Sequence, residues 1–148
     1  MKKLILVATL LIGPVALANP VETWEGDGAL FGIDGSQLGT YNLVVENSKQ
    51  GDKIDSLVTI ALPDGSTHQE QCQITEKTSE QWVSQCSSGE GGGQCYGEGL
   101  CMSYVENGNG TAHATTIVFD GPSKMRLLRT ELKDGQAVKI FREKLQKR

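Results

Sequence analysis

The chain has 148 residues, with 14 basic and 18 acidic side chains, a net charge of −4, 18 glycines and 4 cysteines. That length fits one domain with one core. The acidic balance excludes nonspecific nucleic-acid binding, which needs a basic surface to neutralise phosphates.

The amino end reads as a secretory signal peptide. Lys2 and Lys3 precede the apolar run Leu4 to Ile12, and Ala16 and Ala18 put small residues at the minus-three and minus-one positions before Asn19. Cleavage is expected after Ala18, leaving a single domain over 19–148 in the periplasm of a bacterium or in its medium. No cysteine follows the cut to take a lipid, and no later apolar run is long enough to span a bilayer. Charge is unevenly spread: Asn19 to Gly121 holds 3 basic and 15 acidic side chains, whereas Pro122 to Arg148 holds 9 basic and 3 acidic. Cross-strand pairing between the two ends is the simplest account, and binding of an anion at the basic end is the other.

Turn residues recur every 10 to 14 positions, and the segments between them alternate instead of following a helical period. Predicted strands lie at 22–31, 40–48, 53–62, 66–76, 81–87, 100–106, 111–120, 124–132 and 136–144. Pro63-Asp64-Gly65 suits a three-residue hairpin loop, opposing Ile60 to His68, Val58 to Glu70, Ser56 to Cys72 and Ile54 to Ile74. Ile54, Val58, Ile60 and Leu62 then face inward with His68, Glu70, Cys72 and Ile74.

Four cysteines in an exported chain read as two disulfides. Cys72 and Cys86 are symmetric about Ser79, as direct partners across a hairpin would be, and this leaves Cys95 and Cys101 to close a small ring. The same hairpin puts Trp82 on the inward face. Crossed pairings remain open. Intervals of 13, 8 and 5 residues lack the paired knuckles of a zinc site, so no metal or other cofactor is expected. Ser87 to Gly93 contains four glycines and reads as a mobile loop; it resembles no phosphate-binding loop. Asn107-Gly108-Asn109-Gly110 signals a further hairpin, and its Asn109-Gly110-Thr111 triplet also matches a glycosylation acceptor. Lys133-Asp134-Gly135 is read as another three-residue loop, setting Leu128, Thr130 and Leu132 beside Ile140, Val138 and Gln136, with Arg126 opposite Arg142 on the same inward face.

So many sequential strands in a small protein tend to close and abolish their edges. The expected fold is all-β, an antiparallel meander closing into an up-and-down barrel of 8–10 strands. The nine predicted strands conflict with closure, which needs an even number; Gln94–Gly97 adding a strand, one segment being no strand, or an open barrel would each resolve this.

Trp24 at the start of the first strand, Gly26 and Gly28 on its face, and arginines on the last two strands together resemble the calycin group, the lipocalins and fatty-acid-binding proteins. The resemblance implies a closed end where Arg142, or else Arg126, covers Trp24. Glu22 stands where the family's Gly-x-Trp requires glycine. It further implies a cup for a small amphiphile, its apolar part among Val58, Ile60, Trp82 and Leu128, its acid near Arg126 and Arg142, with His68 and Glu70 on the same wall. The tyrosine that accompanies such arginines is absent from the positions beside them.

His68, Glu70 and His113 are the only residues that suggest acid–base work or a metal site, and no serine or free cysteine has the partners of a nucleophile. A non-catalytic, monomeric binding protein is therefore expected. The alternative is a protein-binding module, such as an inhibitor of a periplasmic enzyme, acting through the glycine-rich loop 87–99.

Overall fold

The computed structural model describes residues 21–148, so the expected leader and cleavage site lie outside the described residues. Ten strands follow in order: β1 (Val21–Gly32), β2 (Gln37–Gln50), β3 (Lys53–Ala61), β4 (Thr67–Glu76), β5 (Gln81–Cys86), β6 (Gly89–Tyr96), β7 (Leu100–Asn107), β8 (Thr111–Phe119), β9 (Lys124–Lys133) and β10 (Gln136–Lys147). Each pairs antiparallel with its neighbours in sequence, and β1 with β10 closes the barrel. Among the described residues there is no helix.

The strand missing from the sequence reading is β6. The stretch expected to be a mobile loop pairs with both β5 and β7 and brings the count to an even number. Its inward positions are Gly89, Gly91, Gly93 and Cys95, and a Cβ on Gly89 or Gly91 would sit 1.8 or 2.0 Å from a carbonyl oxygen of β7. Glycine permits this close backbone approach, which no other residue would allow. The ring of Trp82 fills the space left by Gly93, where a Cβ would stand 2.1 Å from the indole.

The β3–β4 register is the one the Pro63 hairpin implies, with Ile60 opposite His68, Val58 opposite Glu70 and Ser56 opposite Cys72. Disulfides join Cys72 to Cys86 and Cys95 to Cys101, each between directly opposed residues. Two such bonds suit an oxidising compartment.

The last hairpin differs from its expected form. Asp134 and Gly135 both take positive φ, 51° and 76°, making a two-residue turn between Lys133 and Gln136. This is the Asp-Gly hairpin signature, whose twist matches that of the strands. A bulge between Ala137 and Lys139 then shifts the register, so Arg142 lies opposite Leu128 and Arg126 opposite Lys144. All four face outward. The adjacent Leu127-Leu128 pair makes the alternation ambiguous, and the inward set proves to be Met125, Leu127, Arg129 and Glu131, facing Leu145, Glu143, Phe141 and Lys139.

The packed core lies toward one side, where Trp24, Tyr41, Leu43, Met125 and Leu145 are buried together with support from Val45, Phe119, Leu127 and Phe141. Gly28 makes room for Tyr41, whose ring would stand 2.2 Å from a Cβ there. Trp24 is 4% exposed and meets Phe119 edge-on. Its covering cation is Lys147, with Nζ 5.8 Å from the ring centroid, and not Arg142, which lies over Phe31 outside the barrel. Glu22, placed where the lipocalin pattern has glycine, accepts the indole N–H at 2.5 Å and pairs with Lys147 at 2.9 Å.

Candidate functional site

A polar cluster inside the barrel carries the most chemistry. Strand alternation brings Arg129 and Glu131 of β9, Lys139, Phe141 and Glu143 of β10, His113 of β8 and Tyr41 of β2 to the inner face. Glu143 is the centre. Its Oε1 accepts from the Tyr41 hydroxyl at 2.6 Å and from an Arg129 Nη at 2.6 Å. The Glu143 side chain is 3% and the Arg129 side chain 18% exposed. Charge-assisted bonds of this kind offset the desolvation that burial imposes on both ions. Burial, and then the neighbouring Glu143 charge, push the Tyr41 phenol well above its ordinary value.

Arg129 also stacks on Phe141 at 4.7 Å from the ring centroid, and Phe141 meets both Tyr41 and His113 edge-on. Glu131 lies 3.6 Å from both His113 Nε2 and Lys139 Nζ. The Arg129 Nε is buried without a hydrogen-bond partner, a donor left over once the carboxylate is satisfied.

The residues expected to line a cup divide in two. Val58, Ile60, His68, Glu70 and Trp82 share the inner face of β3, β4 and β5, as their registers require. His68 is exposed and Glu70 bonds to Ser88, so neither joins the His113–Glu131 group. Arg126, Arg142 and Leu128 are on the outside: Arg126 pairs with Asp120 at 2.6 Å and Leu128 is 46% exposed. The inner arginine is Arg129. It has its tyrosine after all, but from β2, which no local motif around the arginine could reveal. A signal was present in the alternate positions 129, 131, 139 and 143, which put charge on one face of the last hairpin. Apolar patterning selects against that face. Glu70, Cys72 and Cys86 lie close enough to hold a metal ion, but the disulfide removes the two thiolates from such a role.

Among the described residues no helix is long and apolar enough to cross a membrane. No protein-family model matches the chain, and no curated protein matches its sequence. Among solved structures it is similar to an S-type phycobiliprotein lyase, CPES, from Guillardia theta, with a TM-score of 0.62, covering 94% of this chain and 92% of that one at 6% identity. At that identity the likeness is one of fold alone and says nothing of shared residues. It nevertheless corrects the expectation that the protein is no enzyme: a protein named as a lyase is built on this barrel, so the lack of a recognisable catalytic motif gives no ground for excluding catalysis.

Proposed function

We propose that the protein is exported and binds a small amphiphile inside its barrel. One observation carries this reading. Val58, Ile60, Glu70 and Trp82 point inward yet keep part of their surface accessible, whereas Trp24, Leu43 and Leu145 are at most 4% exposed. In a closed sheet, accessible surface on the inner face borders the lumen or its mouth. The β3–β5 side therefore offers a partly apolar wall to a guest, across the lumen from the buried cluster around Trp24.

The head group follows from the charge balance. Glu143 already neutralises Arg129, so a carboxylate would add a buried charge without a counter-ion; a carbonyl or hydroxyl oxygen suits the spare Nε–H. This replaces the fatty-acid reading, whose arginines lie outside. The experiment is native mass spectrometry of protein purified from its own compartment, combined with titration of the neutral probe N-phenyl-1-naphthylamine. Val58→Trp, which fills the lumen, is expected to abolish both bound mass and probe fluorescence. A clean unliganded mass with no probe uptake by the wild type would refute the reading.

A second reading, a protein-binding module, rests on the outside of β6–β7. Tyr96, Leu100, Met102 and Tyr104 are 55%, 36%, 49% and 44% exposed there, next to the turn that Cys95–Cys101 closes. A stapled hairpin presents such side chains with little ordering cost on binding. Tyr96→Ser with Met102→Ser would then abolish capture of the partner and leave probe uptake intact.

A further inference from the structure

The arginine that fails as a lumen residue lines a cleft on the opposite side of the wall. Where the β1–β2 register shifts at the Leu30/Phe31 bulge, the outer faces of β1, β2 and β10 and the Leu62-Pro63 corner border an open cleft of about 710 Å³. Its floor is low because Ala29, Thr40 and Ala61 are short, and its walls are Phe31 with Arg142 on one side and Asp27 with Lys144 on the other. The Arg142 guanidinium rests on the Phe31 ring at 4.9 Å, which holds its fork in place before anything binds. Neither Arg142 nor Lys144 takes part in an ion pair among the described residues, although five of the seven pairs found engage other basic side chains of β9, β10 and the carboxyl end. Two free cations against one acid, Asp27, leave the cleft with an excess of positive charge in a protein of net charge −4.

We infer that this outer cleft is a second binding site, for a small organic acid with a flat apolar body. The acid group would bond to the Arg142 fork with Lys144 as the second cation, and the body would lie over Ala29, Ala61 and Pro63. The volume falls within the range of small-molecule sites, and a fixed guanidinium beside a shallow apolar floor selects an anion joined to a flat group over a bare ion. This site is separate from the lumen: Gly28 and Tyr41 are the wall between them, and the two differ in the charge they accept.

The test uses 8-anilinonaphthalene-1-sulfonate, an anionic aromatic probe, titrated into ¹⁵N-labelled disulfide-bonded protein. Saturable amide shifts are expected at 28–31, 40–42, 61–63 and 142–144. Arg142→Gln with Lys144→Gln is expected to weaken the affinity at least about tenfold, the scale of losing a charge-assisted hydrogen bond. Arg126→Gln, outside the cleft, should leave it unchanged. Ala61→Phe fills the floor without touching a charge and should also abolish the shifts. Shifts confined to lumen residues such as Val58 and Trp82, or cleft shifts that persist in the double variant or in Ala61→Phe, would overturn the site, as would the absence of saturable shifts. None of these results bears on uptake of the neutral probe by the lumen.

Discussion

Separating Arg129 from Glu143 is expected to be among the costliest changes this barrel can suffer. Breaking a buried ion pair by removing one partner typically costs about 3–5 kcal/mol, because the survivor is left without compensation. Here the Glu143 side chain is 3% and the Arg129 side chain 18% exposed, so little water reaches either group to replace the lost partner. The two single variants should differ. In Arg129→Met the carboxyl keeps the Tyr41 donor and can escape by taking up a proton; in Glu143→Leu the guanidinium stays charged at any accessible pH. Glu143→Leu should therefore be the worse, near the upper end of that range. Arg129→Met combined with Glu143→Leu removes both ions and replaces them with apolar groups of similar volume, so it should be less damaging than Glu143→Leu alone. Urea unfolding followed by tryptophan fluorescence, with both disulfides intact, gives each value from its midpoint at constant slope. For a slope of about 2 kcal/mol/M, a 4 kcal/mol loss moves the midpoint by about 2 M. A Glu143→Leu cost under about 1 kcal/mol, or losses that simply add in the double variant, would refute the picture of a desolvated pair.

Three further outcomes are expected. The raised Tyr41 pKa favours the neutral phenol in the folded state, so stability is fully present below the ordinary tyrosine value of 10.0 and is lost as the pH rises beyond it; Tyr41→Phe should remove that part of the alkaline decline in a pH series of midpoints. The Lys147 bond lowers the Glu22 pKa, so its contribution is present above 4.5 and is lost as the pH falls below that value; Glu22→Gln should flatten this acid limb, and an unchanged limb would show that the pair is solvated. Gly26→Ala places a Cβ 1.8 Å from the Lys144 carbonyl oxygen, a backbone atom that cannot swing aside, and should cost at least about 2 kcal/mol by the same urea assay.

Where a turn and an apolar alternation agree, the sequence specifies the register. Pro63-Asp64-Gly65 and the run Ile54, Val58, Ile60 do so, and the opposition of Cys72 to Cys86 follows from the symmetry of their hairpin. The last hairpin fails this test twice. Its Asp-Gly turn admits a two-residue geometry in which both residues take positive φ, and the bulge after Ala137 leaves no mark in residue type. Its inner face is charged, so a rule that sends apolar residues inward selects Leu128 over Arg129. The strand Gly89–Tyr96 is hidden for a related reason: glycine has low intrinsic strand preference, and the close approach to β7 that requires it is a tertiary fact. The Tyr41–Glu143 contact spans 102 positions, beyond the reach of any local pattern.

Both covalent staples lie within consecutive hairpins, β4–β5 and β6–β7, and neither crosses the seam where β1 meets β10. Nine of the ten strand pairings are local, so they can form early at small loop-closure cost, whereas the seam has to bring together segments more than a hundred residues apart. Closure is thus the late event of folding, held by the β1–β10 ladder and the side chains astride it. Once closed, however, the seam is held by the buried core, since Trp24, Met125 and Leu145 lie on or beside it, so amide exchange should be slowest along Trp24–Gly32 and Lys139–Lys147 and faster on the β4–β6 side. Covalent bonds thus secure the β4–β7 wall, where no side chain joins the buried apolar cluster, and burial secures the seam, where no covalent bond does.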